Sequence, residues 1–293
     1  MSTVAILSPG DMGHATGQAL LRHGHGIVTC LAGRSELTRR LAEKAGFRDL
    51  PDLETMLGQA DLVLSILPPA QAVDNATRVA KAMRKAAKAP PYADCNAVAP
   101  DTALAVGRIV EQAGAPFIDC GIIGLSPAHE KTRFYVSGKD TKPFLALDGA
   151  GIRVVDLGPE PGKASALKMC YASLTKGTFT LHTAVLLAAE MTGVAAELRD
   201  EFEYSQKDAL ARMRAMVPRL PADSARWVGE MEEIAKTYAA AGVTPKFHEG
   251  AAAVFRLLAE TPFASETRET MDRSRTLEDS VRVYAETLRR KGM

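Results

Sequence analysis

The chain has 293 residues, with 36 lysines and arginines against 35 aspartates and glutamates for a formal net charge of +1. Two domains fit this length, and the balanced charge gives no electrostatic reason to expect nucleic acid or an anionic membrane as partner. Cys30, Cys95, Cys120 and Cys170 lack metal-ligand spacing, no basic region precedes a long apolar segment at the N-terminus, and the most apolar helical stretch, Thr183 to Ala189, is too short to span a bilayer, so a metal-free cytoplasmic protein without disulfides is expected.

In chain order, the apolar run Val4 to Leu7 feeds into Ser8-Pro9-Gly10-Asp11-Met12-Gly13-His14-Ala15, which reads as a strand, a glycine turn and a helix start. Gly10 lets the backbone approach a pyrophosphate and Gly13 lets the helix pack close to the strand, so the helix N-terminus faces the negative charge of a dinucleotide. The full Gly-x-Gly-x-x-Gly fingerprint has a glycine where this chain has Ser8, so the motif is incomplete. The next strand, Gly26 to Ala32, ends in Gly33-Arg34-Ser35 with no acidic residue at its end. A carboxylate there would bond the ribose hydroxyls of NAD, whereas a guanidinium beside a hydroxyl suits a 2′-phosphate; the spacing predicts NADP over NAD. The alternative is that Arg34 is a solvated charge opening the helix that carries Arg39 and Arg40.

Asp61 to Leu67 is the third predicted strand, stopped by Pro68-Pro69, and Tyr92 to Cys95 is the fourth, followed by Asn96, Pro100 and Asp101. Pro116 to Cys120, Phe134 to Ser137 and Ile152 to Val155 continue the pattern. Short strands alternating with helices predict an α/β domain with a Rossmann-type, doubly wound parallel sheet. Ligands of such sheets gather outside the carboxyl ends of the strands, so the loops at Ser8 to Gly13, Leu67 to Pro69, Asp94 to Pro100 and Asp119 to Leu125 are expected to share one crevice.

After Gly158-Pro159-Glu160-Pro161-Gly162 the character changes. Ala164 to Glu190 has helical spacing without proline and predicts one interdomain helix of roughly 40 Å. Further helices follow, broken near Pro218 and Pro221, near Gly242 to Pro245 and near Thr261-Pro262, with a terminal charged helix from Ser265 to Arg290. The domains are accordingly 1–162, nucleotide-binding, and 163–293, all-α.

On the long helix, Lys168 follows small residues in Gly-x-x-x-Gly-Lys-Ala-Ser-Ala-Leu-Lys. The succession of a Gly-Asp-Met-Gly nucleotide loop, a Leu67-Pro68 loop, a polar turn ending in Pro100, the Asp119-x-Gly121-x-x-Gly124 segment and Lys168 resembles the β-hydroxyacid dehydrogenases, which include 3-hydroxyisobutyrate and 6-phosphogluconate dehydrogenases. The resemblance covers about residues 3 to 190; the later helices look like a divergent branch.

The resemblance implies an NADP-dependent oxidoreductase acting on a hydroxyl or carbonyl of a small acid, with Lys168 as general acid and base. It places Leu67 and Pro68 beside the nicotinamide ribose and Asn96 near the nicotinamide amide, although Asn96 is equally read as turn chemistry. Ile122, Ile123 and Gly124 would bind substrate through backbone amides. Lys176 is a candidate second cation, although eight residues after Lys168 it stands roughly 80° around the helix axis and about 12 Å along it. Two departures blur the substrate. Ala172 replaces the asparagine that usually follows the lysine by four residues, leaving Thr175 to face the substrate from the same side of the helix, and Ile123 replaces the serine before the glycine pair. His248, after Pro245, either reaches the cleft or is an ordinary helix residue. An imine reductase of related architecture and a non-catalytic NADP-binding protein are the competing readings. The α-helical domains of the family pair, so a homodimer through the C-terminal helices is expected.

Overall fold

The computed structural model describes residues 1–127, 129 and 131–291, and it divides into two compact units, Met1–Met169 and Cys170–Met293. In chain order the first unit contains β1 (Thr3–Leu7), α1 (Asp11–Arg22), β2 (Gly26–Thr29), α2 (Glu36–Ala45), β3 (Arg48–Asp49), α3 (Leu53–Gln59), β4 (Leu62–Ser65), α4 (Ala72–Ala86) and β5 (Tyr92–Asp94). α5 (Pro100–Glu111), β6 (Phe117–Ile123), β7 (Arg133–Ser137), the short α6 (Lys142–Leu145), β8 (Val154–Asp156) and the first two turns of α7 (Lys163–Thr192) complete it.

Among the described residues the strands form one eight-stranded sheet in the order β3-β2-β1-β4-β5-β6-β7-β8. Alternate residues feed two different cores. Val4, Ile6, Leu62, Leu64, Ala93 and Ile118 face one, and Ala5, Leu7, Val63, Tyr92 and Phe117 face the other. Such two-sided burial explains why the strands read as continuous apolar runs. Local chemistry sets the helix ends: Ser35 and Asp52 accept from the backbone N–H of Thr38 and Thr55 at the starts of α2 and α3, and Gly46 closes α2 with φ 80°.

Three expectations need correction here. The sheet is not wholly parallel, because β7 runs antiparallel to β6, from Asp119 opposite Ser137 to Ile123 opposite Arg133. The stretch 124–132 is too short for the crossover that a parallel pair needs. For the same reason Asp119 to Ile123 is strand rather than loop: β6 runs on past Gly121 because β7 pairs with its extension. The strand predicted to Ala32 ends at Thr29, and β3, with both residues exposed, has no apolar signal by which it could be read.

The second unit contains the rest of α7 together with α8 (Ala195–Ser205), α9 (Lys207–Met216), α10 (Pro221–Ala240), α11 (Lys246–Leu258) and α12 (Leu277–Lys291). The predicted terminal helix is shorter than expected and begins only at Leu277. Ahead of it, the Thr267 hydroxyl accepts from the N–H groups of Glu269 and Thr270, and the Asp272 carboxylate accepts from Ser274 N–H; these local bonds compete with helix formation. Among the described residues no helix is long and apolar enough to cross a membrane.

Candidate functional site

The loop after β1 is built for close approach. Ser8 has φ 59°, the left-handed conformation that a glycine at this position would adopt without steric cost. Its carbonyl accepts from Gly10 N–H at 2.7 Å, tightening the turn. A Cβ added at Gly10 would meet nothing within 4 Å, so this flank is open, while Pro9 is buried below it. Gly10 is also the N-cap of α1 and offers no side chain to the N–H groups of Asp11, Met12 and Gly13. Unserved N–H groups at the positive end of a helix beside an open glycine suit a pyrophosphate. The close packing expected at Gly13 is shared: its Cβ would lie 3.2 Å from the Ser8 carbonyl, but one at Gly17 would lie 2.1 Å from the Phe47 ring.

Beyond β2, Arg34 is half-buried, and burial and then the nearby positive charge of Arg78 lower its pKa. Arg78 stands on α4, where Asn75 Oδ1 accepts from its guanidinium at 2.9 Å. Two neighbouring guanidiniums suit an anion with more than one charge. Sequence reading missed Arg78, which lies 44 positions from Arg34 in the chain and is visible only once α4 is folded back beside β2's end. The loop is held rigid. Arg39 donates to the carbonyls of Leu31 (2.6 Å) and Arg34 (3.3 Å), and Asp49 accepts from Leu31 N–H at 2.9 Å. The hydroxyl of Ser35 caps α2 by accepting from Thr38 N–H and also hydrogen-bonds the Thr38 hydroxyl at 3.0 Å.

The register aligns Leu7, Ser65, Asp94 and Asp119 in one row across β1, β4, β5 and β6. The loop at Ser8, the segment Ile66 to Pro68, Cys95-Asn96 and Cys120-Gly121 therefore emerge along one carboxyl edge of the sheet. Asn96 is 2% exposed. Its Oδ1 accepts from Leu67 N–H at 2.5 Å, and its Nδ2 donates to Ser65 Oγ at 3.2 Å and to Asp94. The structure thus places Asn96 as a clip that fixes the Leu67-Pro68 loop, with Leu67 buried and Pro68 exposed. Below it, burial first and the charge of Asp119 second push the carboxyl of Asp94 up to about 8.

Lys168 lies on the part of α7 that belongs to the first unit and is half-buried. The helix packs directly on β6 at Gly121, where an added Cβ would lie 2.6 Å from the carbonyl oxygen of Ala164 and 3.0 Å from Lys168 Cβ. Ile122 is buried and Ile123 half-buried, with both backbones on the ladder to β7. Gly124 has φ 142°, and a Cβ there would overlap Thr132 Oγ1 at 2.1 Å.

The remaining candidates belong to the second unit. Thr175 Oγ1 donates to the Ala172 carbonyl within its own helix at 3.2 Å. Lys176 is buried and bonds Glu230 at 2.6 Å, with its ammonium 5.4 Å from the centre of the Trp227 ring, so its charge is neutralised inside this unit. His248 is buried, edge-on to Tyr238 at 4.3 Å, and burial lowers its pKa.

Residues 3–144 match the family model of the NAD binding domain of 6-phosphogluconate dehydrogenase, and residues 189–258 match a domain of unknown function, DUF1932. A conserved protein of unknown function, described as structurally similar to 3-hydroxyacid dehydrogenases, is 26% identical with a TM-score of 0.64, covering 88% of this chain and 97% of its own. The 3-hydroxyisobutyrate dehydrogenase of Mycobacterium tuberculosis, solved with L-serine, is 19% identical with a TM-score of 0.67 over 96% of this chain and 98% of its own. An imine reductase of Streptomyces aurantiacus, also 19% identical, has a TM-score of 0.54 over 96% of this chain and 98% of its own. At 19% identity these last two carry the fold alone.

Proposed function

We propose that this chain, an NAD(P)-dependent oxidoreductase of the β-hydroxyacid dehydrogenase family, uses NADP and that Lys168 is its general acid and base. The substrate is a small, acidic molecule that presents a hydroxyl or a carbonyl. The observation that carries the reading is the seating of Lys168: Gly121 brings α7 against the carboxyl edge of the sheet from which the nucleotide loop also emerges.

Ser8, Pro9, Gly10, Asp11, Met12 and Gly13 would hold the pyrophosphate, Arg34 and Ser35 with Arg78 would hold a 2′-phosphate, and Leu67 and Pro68, clipped by Asn96, would take the nicotinamide ribose. Bound there, the nicotinamide supplies the hydride donor or acceptor. Lys168 donates its proton to the substrate oxygen as a carbonyl is reduced and takes it back in the reverse direction, and its positive charge stabilises the developing alkoxide. Ile122, Ile123 and Gly124 border the substrate. Lys176 acts through its ion pair with Glu230 and brings no net charge. The exposed side chains of Tyr171 (50%), Leu174 (71%) and Leu181 (63%) follow helical spacing on α7 and support a homodimer through the C-terminal helices.

An imine reductase is the second reading. The apolar Ile123, standing where the family has a serine, favours it, and the retained Lys168 opposes it.

The test is a screen of hydroxy acids, aldehydes and cyclic imines with NADPH and NADH. Turnover of an acid or aldehyde that Lys168→Met abolishes, with cofactor affinity held within about threefold, supports the reading. Full activity in Lys168→Met overturns the lysine's role, and turnover of imines alone favours the second reading. Arg34→Asp is expected to weaken NADPH binding far more than NADH binding, and equal loss of both removes the 2′-phosphate argument.

A further inference from the structure

We propose that Asp119 is a positioning residue that anchors the first turn of α7 and so aims Lys168; the proposal rests on the reading of Lys168 given above. Asp119 is fully buried at the end of the β5–β6 pairing, in register with Asp94. It sits among hydrogen-bond donors: Ser165 Oγ donates to its Oδ1 at 2.5 Å, and Ser165 N–H and Ser137 Oγ both donate to its Oδ2 at 3.0 Å. Ser137 Oγ in turn accepts from Ala164 N–H at 3.1 Å. Two first-turn N–H groups of α7, which no earlier turn of helix can satisfy, are therefore held from β6 and β7 by one carboxylate and one hydroxyl.

Three donors converging on two oxygens favour the ionised form, which accepts all of them without a hydrogen of its own to place. Burial raises the pKa of Asp119, and the donors from Ser165 and Ser137 oppose that rise. Its neighbour Asp94 retains its proton at neutral pH, so a second buried negative charge is not set beside it. Ser165 stands three residues before Lys168, on the neighbouring turn of the same face. Gly121 supplies the complementary restraint, because it lets the helix settle against the strand that carries Asp119. Carboxylate and glycine together fix the height and rotation of α7 where Lys168 leaves it. In the sequence, Asp119 and Gly121 belong to one Asp-x-Gly motif, and nothing local to it gives the acid a task.

The test reads Lys168 directly, without any substrate. Competitive acetylation with acetic anhydride across about pH 7 to 10, quantified by mass spectrometry, follows the reactivity of Lys168 against exposed Lys44 as internal reference. Asp119→Asn keeps the shape but turns an amide N–H₂ toward the donors. The expected result is a change of roughly threefold or more in relative Lys168 acetylation, with a displaced pH midpoint and NADPH affinity within about twofold of wild type. Ser165→Ala removes the hydroxyl but keeps the backbone N–H, and should move Lys168 the same way by less. Should Asp119→Asn fail to fold, Ser165→Ala decides alone. An unchanged acetylation profile of Lys168 in the folded variants overturns the proposal. Because Lys168→Met measures the catalytic role separately, a fully active Lys168→Met would sink that role without altering the acetylation result.

Discussion

Replacing Gly121 by alanine isolates what the seating of α7 contributes. The glycine does not lie in the left-handed backbone region, so an added methyl acts through space alone. That methyl would lie 2.6 Å from the Ala164 carbonyl oxygen and 3.0 Å from Lys168 Cβ, where ordinary contact begins at 3.4 Å. Neither a helix carbonyl nor a Cβ can rotate away, so the first turns of α7 must move by about 0.8 Å or β6 must bend. Overpacking of this kind costs about 1–3 kcal/mol, and a catalytic group misplaced by about 1 Å loses on the order of 100-fold in rate. Gly121→Ala should therefore lower the denaturant midpoint and slow turnover strongly, while NADPH titration stays within about threefold of wild type. Gly10→Ala is the matched control: its methyl meets nothing in the protein, so stability should hold within about 0.5 kcal/mol while NADPH binding weakens, because the methyl occupies the approach to the pyrophosphate. A Gly121→Ala variant with wild-type stability and wild-type turnover would refute the argument that close packing seats the lysine.

Two further outcomes follow from buried charge. Lys176 and Glu230 retain 11% and 9% side-chain exposure, so Lys176→Met or Glu230→Gln alone should cost about 3–5 kcal/mol in chemical denaturation, whereas the double change to Met and Leu should recover most of the loss; equal losses in single and double variants would contradict a coupled pair. For Asp94, the folded-state pKa of about 8 lies above the unfolded value, so the folded protein holds a proton that the unfolded chain releases, and stability should fall as pH rises from about 4 toward 8. Asp94→Asn removes that titration and should raise the melting temperature relative to wild type more at pH 8 than at pH 5; a pH-independent difference would count against it.

Legibility in the sequence followed how local the physical cause is. The strands β1 and β4 were readable because both faces of a parallel sheet bury apolar side chains, and α7 because thirty residues contain no proline. The candidate lysine on it was readable only through the family resemblance, since helical spacing alone does not separate Lys168 from Lys176. The structure separates them through non-local partners. Lys176 meets Glu230, 54 residues on, and the packing of Lys168 against Gly121 spans 47. Arg78 and the antiparallel β7 were missed for the same reason, because each depends on what a distant segment brings alongside.

Ser8 shows the limit from the other direction. As letters, Ser8-Pro9-Gly10 is a damaged fingerprint, yet the backbone holds the serine at φ 59° and reproduces the turn for which the glycine is usually required. A left-handed non-glycine residue costs on the order of 1–2 kcal/mol, and such strain persists only where the surroundings over-determine it. Here Gly10 N–H bonds back to the Ser8 carbonyl and α1 is locked to β1 through Gly17, so the turn is dictated by the helix and strand it joins. The motif is thus better defined by the packing that forces the turn than by the residue that makes it easy. A sequence pattern demanding the first glycine would discard this loop while keeping chains whose Gly-x-Gly leads into no such helix.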